Sequence, residues 1–267
     1  MNALRRLTIG LLLSLPWAVA LAGPAAAPGQ SAIATAHPAA TAAGREVLEA
    51  GGNAFDAAVA ITAALAVVEP YSSGLGGGGF YLLHEAQSGR DVMLDARERA
   101  PGQASRDMYL DAEGNPQPKL SVDGALAAGI PGIPAALDHL AADYGQLPLS
   151  TSLDPAIRAA REGFAVTSMY RDLAGFRQEV MAADPVSREV FLDDGDVPEI
   201  GHVIRQPDLA QTLERIALEG RDGFYQGDLA GQLVDGVRKA GGIWCRSDLA
   251  GYRVVEREPV VSRFRGF

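Results

Sequence analysis

The run Gly74-Leu75-Gly76-Gly77-Gly78-Gly79-Phe80, and after it Asp95-Ala96-Arg97-Glu98-Arg99-Ala100-Pro101, decide how this chain is read. The first segment is a glycine-paved turn between an apolar helix and a strand. The second closes the next strand with an arginine flanked by two acids. Consecutive glycines permit positive φ and let other backbone pass within contact distance, so the turn is expected to pack under a pocket. Gly74-x-Gly76-x-x-Gly79 also has the spacing of a dinucleotide fingerprint. That motif needs a strand before it and a helix after it, so that the helix N-terminus meets the pyrophosphate. The order here is reversed, which argues against nucleotide binding.

Upstream, residues 38–50 are alanine-rich with helical spacing and are stopped by Gly51-Gly52, while Asn53 stands as the N-cap of a second helix over 54–69. Phe55, Val59, Ile61, Leu65 and Val68 leave that helix almost no polar face, which predicts burial on several sides. Pro70 ends it. Residues 32–36 are a short apolar run read as a strand. Downstream, 80–85 and 91–96 are strand-like, and Ala86-Gln87-Ser88-Gly89-Arg90 joins them as a hairpin-length loop. Residues 111–116 form a polar turn. Helices are expected after Gly132 as far as Tyr144, over 154–163 with Pro155 at the first position, and over 207–219 and 228–240. Residues 252–261 read as a last strand without a partner. An unpaired edge is a liability, which suggests truncation. Helices around a few hairpin-linked strands make the fold class α+β or a layered α/β arrangement.

At 267 residues, with 48% hydrophobic and 21% charged residues, the composition is that of an ordinary globular protein of one or two domains. A formal net charge of −10 speaks against nucleic acid as a partner, because phosphate binding needs a basic surface. At the N-terminus Arg5 and Arg6 precede an apolar stretch from Leu7 to Leu21, and Ala20-Leu21-Ala22 matches a small-x-small cleavage pattern. Residues 1–22 are therefore read as a signal peptide cleaved after Ala22, 23–31 as a flexible lead-in, and the mature protein as periplasmic or secreted. The apolar stretch is short for a stable membrane span; an uncleaved anchor is the alternative reading. Cys245 is the only cysteine, so no internal disulfide is possible, and its apolar neighbours favour a buried structural thiol over a nucleophile. His37, His84, His139 and His202 fall in no triad or metal-ligand spacing, and no metal site is expected.

Arg97 is the candidate binding residue. Its planar fork matches a carboxylate in bidentate fashion, and Asp95 and Glu98 stand where they can hold that fork. From composition alone the competing reading is a solvated Asp-Arg-Glu ion network, worth little.

Taken together, several segments resemble the gamma-glutamyltransferases, also called glutathione hydrolases, over residues 32–265. They are Thr35-Ala36-His37-Pro38, Gly51-Gly52-Asn53-Ala54-Phe55-Asp56-Ala57-Ala58, the glycine turn, the Asp95–Pro101 motif, Gly129-Ile130-Pro131-Gly132, Gly223-Phe224-Tyr225-Gln226-Gly227 and Asp248-Leu249-Ala250-Gly251-Tyr252. The resemblance implies that 32–267 is the large-subunit portion of an N-terminal-nucleophile hydrolase with an αββα sandwich. It implies that Arg97 binds the α-carboxylate of a γ-glutamyl group, with Asp95 and Glu98 in support. It further implies a threonine nucleophile, exposed when the precursor cuts itself, whose own α-amine serves as general base. That threonine attacks the γ-amide of glutathione or another γ-glutamyl compound, and the ester then passes its acyl group to water, an amino acid or a peptide. No cofactor is implied. The family's nucleophile lies in a Thr-Thr-His-like segment, whereas the threonines here are isolated. It is expected beyond residue 267, in the small-subunit portion of the precursor, and this fragment alone is expected to be inactive. A cephalosporin (glutaryl) acylase-like enzyme of the same superfamily and a non-catalytic fragment or binding subunit remain as alternatives.

Overall fold

A computed structural model describes residues 31–265; the expected signal peptide and residues 23–30 of the lead-in lie outside the described residues. From Ile33 onward the chain forms one unit. Helix α1, Pro38–Glu49, begins where His37 Nδ1 accepts the N–H of Ala39 and Pro38 presets the first helical φ. Helix α2, Ala54–Val68, begins with a reciprocal cap. Asn53 Oδ1 accepts the N–H groups of Phe55 and Asp56, and the Asp56 carboxylate accepts that of Asn53. Helices α3, Ile133–Asp143, and α4, Leu149–Glu162, join α1 in walling α2 in. Val59, Ala60, Ala63 and Val67 are accordingly fully buried. Each valine so buried contributes about 1.5–3 kcal/mol of apolar transfer, which explains why a helix with almost no polar face is stable here.

Strands β1, Gly79–Glu85, and β2, Arg90–Ala96, form the expected antiparallel hairpin, in register from Gly79 opposite Ala96 to Glu85 opposite Arg90. Strand pleating sends alternate side chains to opposite faces. Leu83, Val92, Leu94 and Ala96 are buried on one face, whereas Phe80 and Leu82 on the other are 60% and 67% exposed. Farther along, β3 (Phe164–Ala165) and β4 (Val203–Ile204) pair as a two-residue ribbon. Between them run three short helices, α5 (Ser168–Gly175), α6 (Gln178–Ala183) and α7 (Pro185–Phe191). Helix α8, Pro207–Glu219, packs on α4 and buries Ala210, Leu213 and Ile216 along one stripe. Helices α9 (Asp222–Tyr225), α10 (Gly227–Lys239) and α11 (Arg246–Gly251) follow, and β5, Val255–Arg257, closes the order.

Four expectations need correction. Residues 32–36 are not a strand; Thr35 instead turns its hydroxyl onto His37 O and Thr41 Oγ1. Helix α4 starts at Leu149, with Pro155 inside it; burial of the apolar Leu153 and Ala156 offsets the missing proline N–H. The last strand is three residues long, and it is partnered: β5 pairs antiparallel with β2, with Asp95 opposite Val255 and Met93 opposite Arg257. Cys245 is half-buried, since it sits at the mouth of α11 as N-cap; its N–H goes to Asp248 at 2.9 Å, and the neighbouring Trp244 fills the core instead.

Candidate active site

The glycine turn, the C-terminal half of α2, the end of β2 and the start of α3 enclose a cavity of about 480 Å³. Thr62, Leu65 and Ala66 supply the α2 wall, Pro70 to Ser73 the rim, Gly74 and Gly76–Gly78 one side, and Arg97, Glu98 and Ile133 the other. A second cavity of about 310 Å³, walled by side chains of α5 to α7, shares Pro70 and Tyr71 with the first.

No glycine of the 74–79 run adopts positive φ. The freedom used is that of close approach. A Cβ on Gly78 would collide with the Ala96 carbonyl and lie 2.8 Å from both the amide and the carboxylate of Glu98. The turn therefore lies flat on the Ala96–Glu98 backbone, and that contact brings Arg97 to the cavity wall. Gly77 O accepts the N–H groups of Gly132 and Ile133 at 2.8 and 3.1 Å, which fastens the turn to the mouth of α3.

Arg97 falls in a gap in the β-ladder. The β1–β2 register ends at Ala96, and the next bridge joins Arg99 to Ile130. Its backbone groups go to side chains: Asp95 Oδ1 accepts its N–H at 3.1 Å, and the Tyr252 hydroxyl donates to its carbonyl at 2.8 Å. Its guanidinium stands at the cavity with the side chain 55% exposed and Nη2 3.3 Å from Glu98 Oε2. Of the two acids, then, Glu98 touches the fork while Asp95 holds the backbone. The other Asp95 oxygen takes Arg257 Nε at 2.8 Å, and the Arg97 N–H, followed by Arg257, keeps this carboxyl below its ordinary range.

Sequence reasoning singled out no role for Tyr252 or Tyr225. Their rings stack 5.5 Å apart and 7° from parallel. The Tyr225 hydroxyl donates to Pro131 O at 2.8 Å and accepts the Ala135 N–H. Burial pushes the Tyr252 hydroxyl up to about 12, so it stays a donor near neutral pH. Tyr252 and Arg97 are 155 residues apart, and no local pattern links them.

The histidines lie elsewhere. His84 meets Asp91 at 2.7 Å, His139 meets Asp143 at 2.7 Å and Glu256 at 3.0 Å, and His202 is 3.7 Å from Asp193. Among the described residues no group of three or more His, Cys, Asp or Glu side chains is placed to hold a metal ion, and no helix is long and apolar enough to cross a membrane.

The sequence model of the gamma-glutamyltranspeptidase family matches residues 40–267. The glutathione hydrolase proenzyme of Escherichia coli (strain K12) is 39% identical over 280 residues, which cover 99% of this chain and 48% of that protein. The chain thus spans about half the length of this curated relative. The crystal structure of Helicobacter pylori gamma-glutamyltranspeptidase superimposes with a TM-score of 0.85 at 42% identity, over 90% of this chain and 70% of that one. The cephalosporin acylase of Bacillus halodurans superimposes with a TM-score of 0.75 at 34% identity, over 92% of this chain and 48% of that one.

Proposed function

The chain belongs to the gamma-glutamyltranspeptidase family, and on that premise we propose that the protein it forms part of cleaves γ-glutamyl amides, glutathione among them. The γ-glutamyl group passes through a threonyl ester to water, an amino acid or a peptide. Arg97 binds the substrate α-carboxylate through its two parallel N–H donors. Glu98 restrains the guanidinium, and Asp95 fixes the Arg97 backbone. The observation that carries this reading is a guanidinium open to a 480 Å³ cavity while both backbone groups of the same residue are tied down. Preorganised charge of this kind costs little reorganisation when substrate arrives.

The threonine nucleophile comes from the small-subunit part of the same precursor. The proenzyme name of the E. coli relative and the half-length match support that division. Phe80 and Leu82, exposed on the outer face of the sheet, support a second layer there, as an αββα sandwich requires. Export by the 1–22 signal segment, giving a periplasmic or secreted enzyme, belongs to the same proposal. The acylase likeness favours one rival, a glutaryl amidase. Assaying the complete enzyme with γ-glutamyl-p-nitroanilide and glutaryl-p-nitroanilide separates the two: preference for the γ-glutamyl donor is expected, and preference for the glutaryl donor would replace this reading with the acylase one.

A further inference from the structure

We infer that Tyr252 is a positioning residue for Arg97, its hydroxyl setting the direction in which the guanidinium enters the cavity. The inference rests on the reading of Arg97 as the carboxylate binder. Arg97 lacks ladder bonds on both sides, so only side chains fix its peptide groups. A small rotation of that backbone is magnified at the far end of a long side chain, and misplacement of a binding group by even an ångström is costly.

Tyr252 is itself held from several directions. Arg221 donates to its carbonyl through Nε at 3.2 Å and Nη2 at 2.8 Å. Tyr225 covers one face of its ring, and the Arg99 guanidinium lies 5.4 Å from the ring centre. The hydroxyl reaches Arg97 through a passage left by Gly132, where a Cβ would collide with both the Ala96 carbonyl and the Tyr252 hydroxyl. Gly132 in turn donates its N–H to Gly77 O, so the same passage borders the glycine turn. A tyrosine pinned at carbonyl, ring and hydroxyl transmits a fixed position to whatever it bonds.

Tyr252→Phe in the complete enzyme removes the hydroxyl and keeps the stacked ring. KM for γ-glutamyl-p-nitroanilide is expected to rise about three- to tenfold, the worth of one neutral hydrogen bond, with kcat nearly unchanged. The control donor is 4-aminobutyryl-p-nitroanilide, which lacks the α-carboxylate; on it the variant and the parent enzyme should coincide. In an Arg97→Ala background Tyr252→Phe should add nothing. If Arg97→Ala raises KM and Tyr252→Phe does not, or if Tyr252→Phe impairs both donors equally, the positioning role is overturned. If Arg97→Ala itself fails to discriminate the two donors, the reading of Arg97 falls first and takes the role of Tyr252 with it.

Discussion

The carboxylate of Asp56, in the first turn of α2, accepts the backbone N–H of Gln146 at 2.9 Å and that of Leu147 at 3.3 Å, tying that turn to the α3–α4 connection ninety residues on. The same carboxylate takes the Asn53 N–H at 2.8 Å. Asp56 itself is fully buried, so its loss takes from three backbone donors the one charged acceptor they share.

Asp56→Ala should therefore destabilise the protein by about 2–4 kcal/mol, because three half-buried hydrogen bonds lose their charged acceptor together. The check is a urea titration of the full chain. The midpoint should fall at unchanged slope; a shift below about 1 kcal/mol would show that water or a rearranged loop satisfies those donors.

Gly78→Ala is expected to damage the site, and Gly76→Ala is not. The added methyl at position 78 meets backbone on two sides, the Ala96 carbonyl and the Glu98 amide, neither of which yields without moving Arg97. At Gly76 nothing lies within 4 Å, and its φ is ordinary. The first variant should lower stability by about 1–3 kcal/mol and raise KM for the γ-glutamyl donor, while the second should stay within about 0.5 kcal/mol of the parent. Equal behaviour of the two would remove close approach as the reason for the glycines.

That pair also shows what the sequence made legible. The helix–turn–hairpin frame was readable because Asn53, Pro70 and the apolar α2 face are strong local signals. The use made of the glycines was not, since close packing and positive φ look alike in a sequence. Helices α5 to α7 escaped notice because six to eight residues are too few to show a period or to be stable alone. The β3–β4 ribbon that closes the segment carrying them is a tertiary contact. Arg97 stood out by its acidic neighbours. Its backbone support did not, because Tyr252 acts from far along the chain.

Acid should loosen the attachment of β5. Glu256 receives the Tyr144 hydroxyl and His139 Nε2, which hold its carboxyl below the ordinary range, and Asp95 is lowered by the Arg97 N–H and by Arg257. A carboxyl lowered in the folded state contributes stability above its unfolded value and loses it as pH falls through the folded one. Stability should thus hold from pH 7 down to about 5 and decline below about 4, the unfolded carboxylate range. Glu256→Gln should flatten part of that decline in a series of thermal melts against pH. An identical pH profile for the variant would show that this contact is not what acid removes.

Arg97→Lys is the sharpest test of the binding site, because it keeps the charge and removes the fork. The guanidinium meets Glu98 at one nitrogen and has its remaining donors open to the cavity, a geometry suited to a planar acceptor. An ammonium in its place is a point charge with a strong hydration shell, and Glu98 alone suffices to draw it off the substrate. KM for γ-glutamyl-p-nitroanilide is expected to rise about ten- to a hundredfold, the worth of a charge-assisted pair of hydrogen bonds, with a smaller change in kcat. Glu98→Gln in the lysine variant should then recover part of the loss, since the competing carboxylate is gone. Parent-like kinetics in the lysine variant would show that charge alone recognises the substrate. Parent-like kinetics in Arg97→Ala would move recognition away from this residue altogether, towards the rim formed by Tyr71, Ser72 and Ser73.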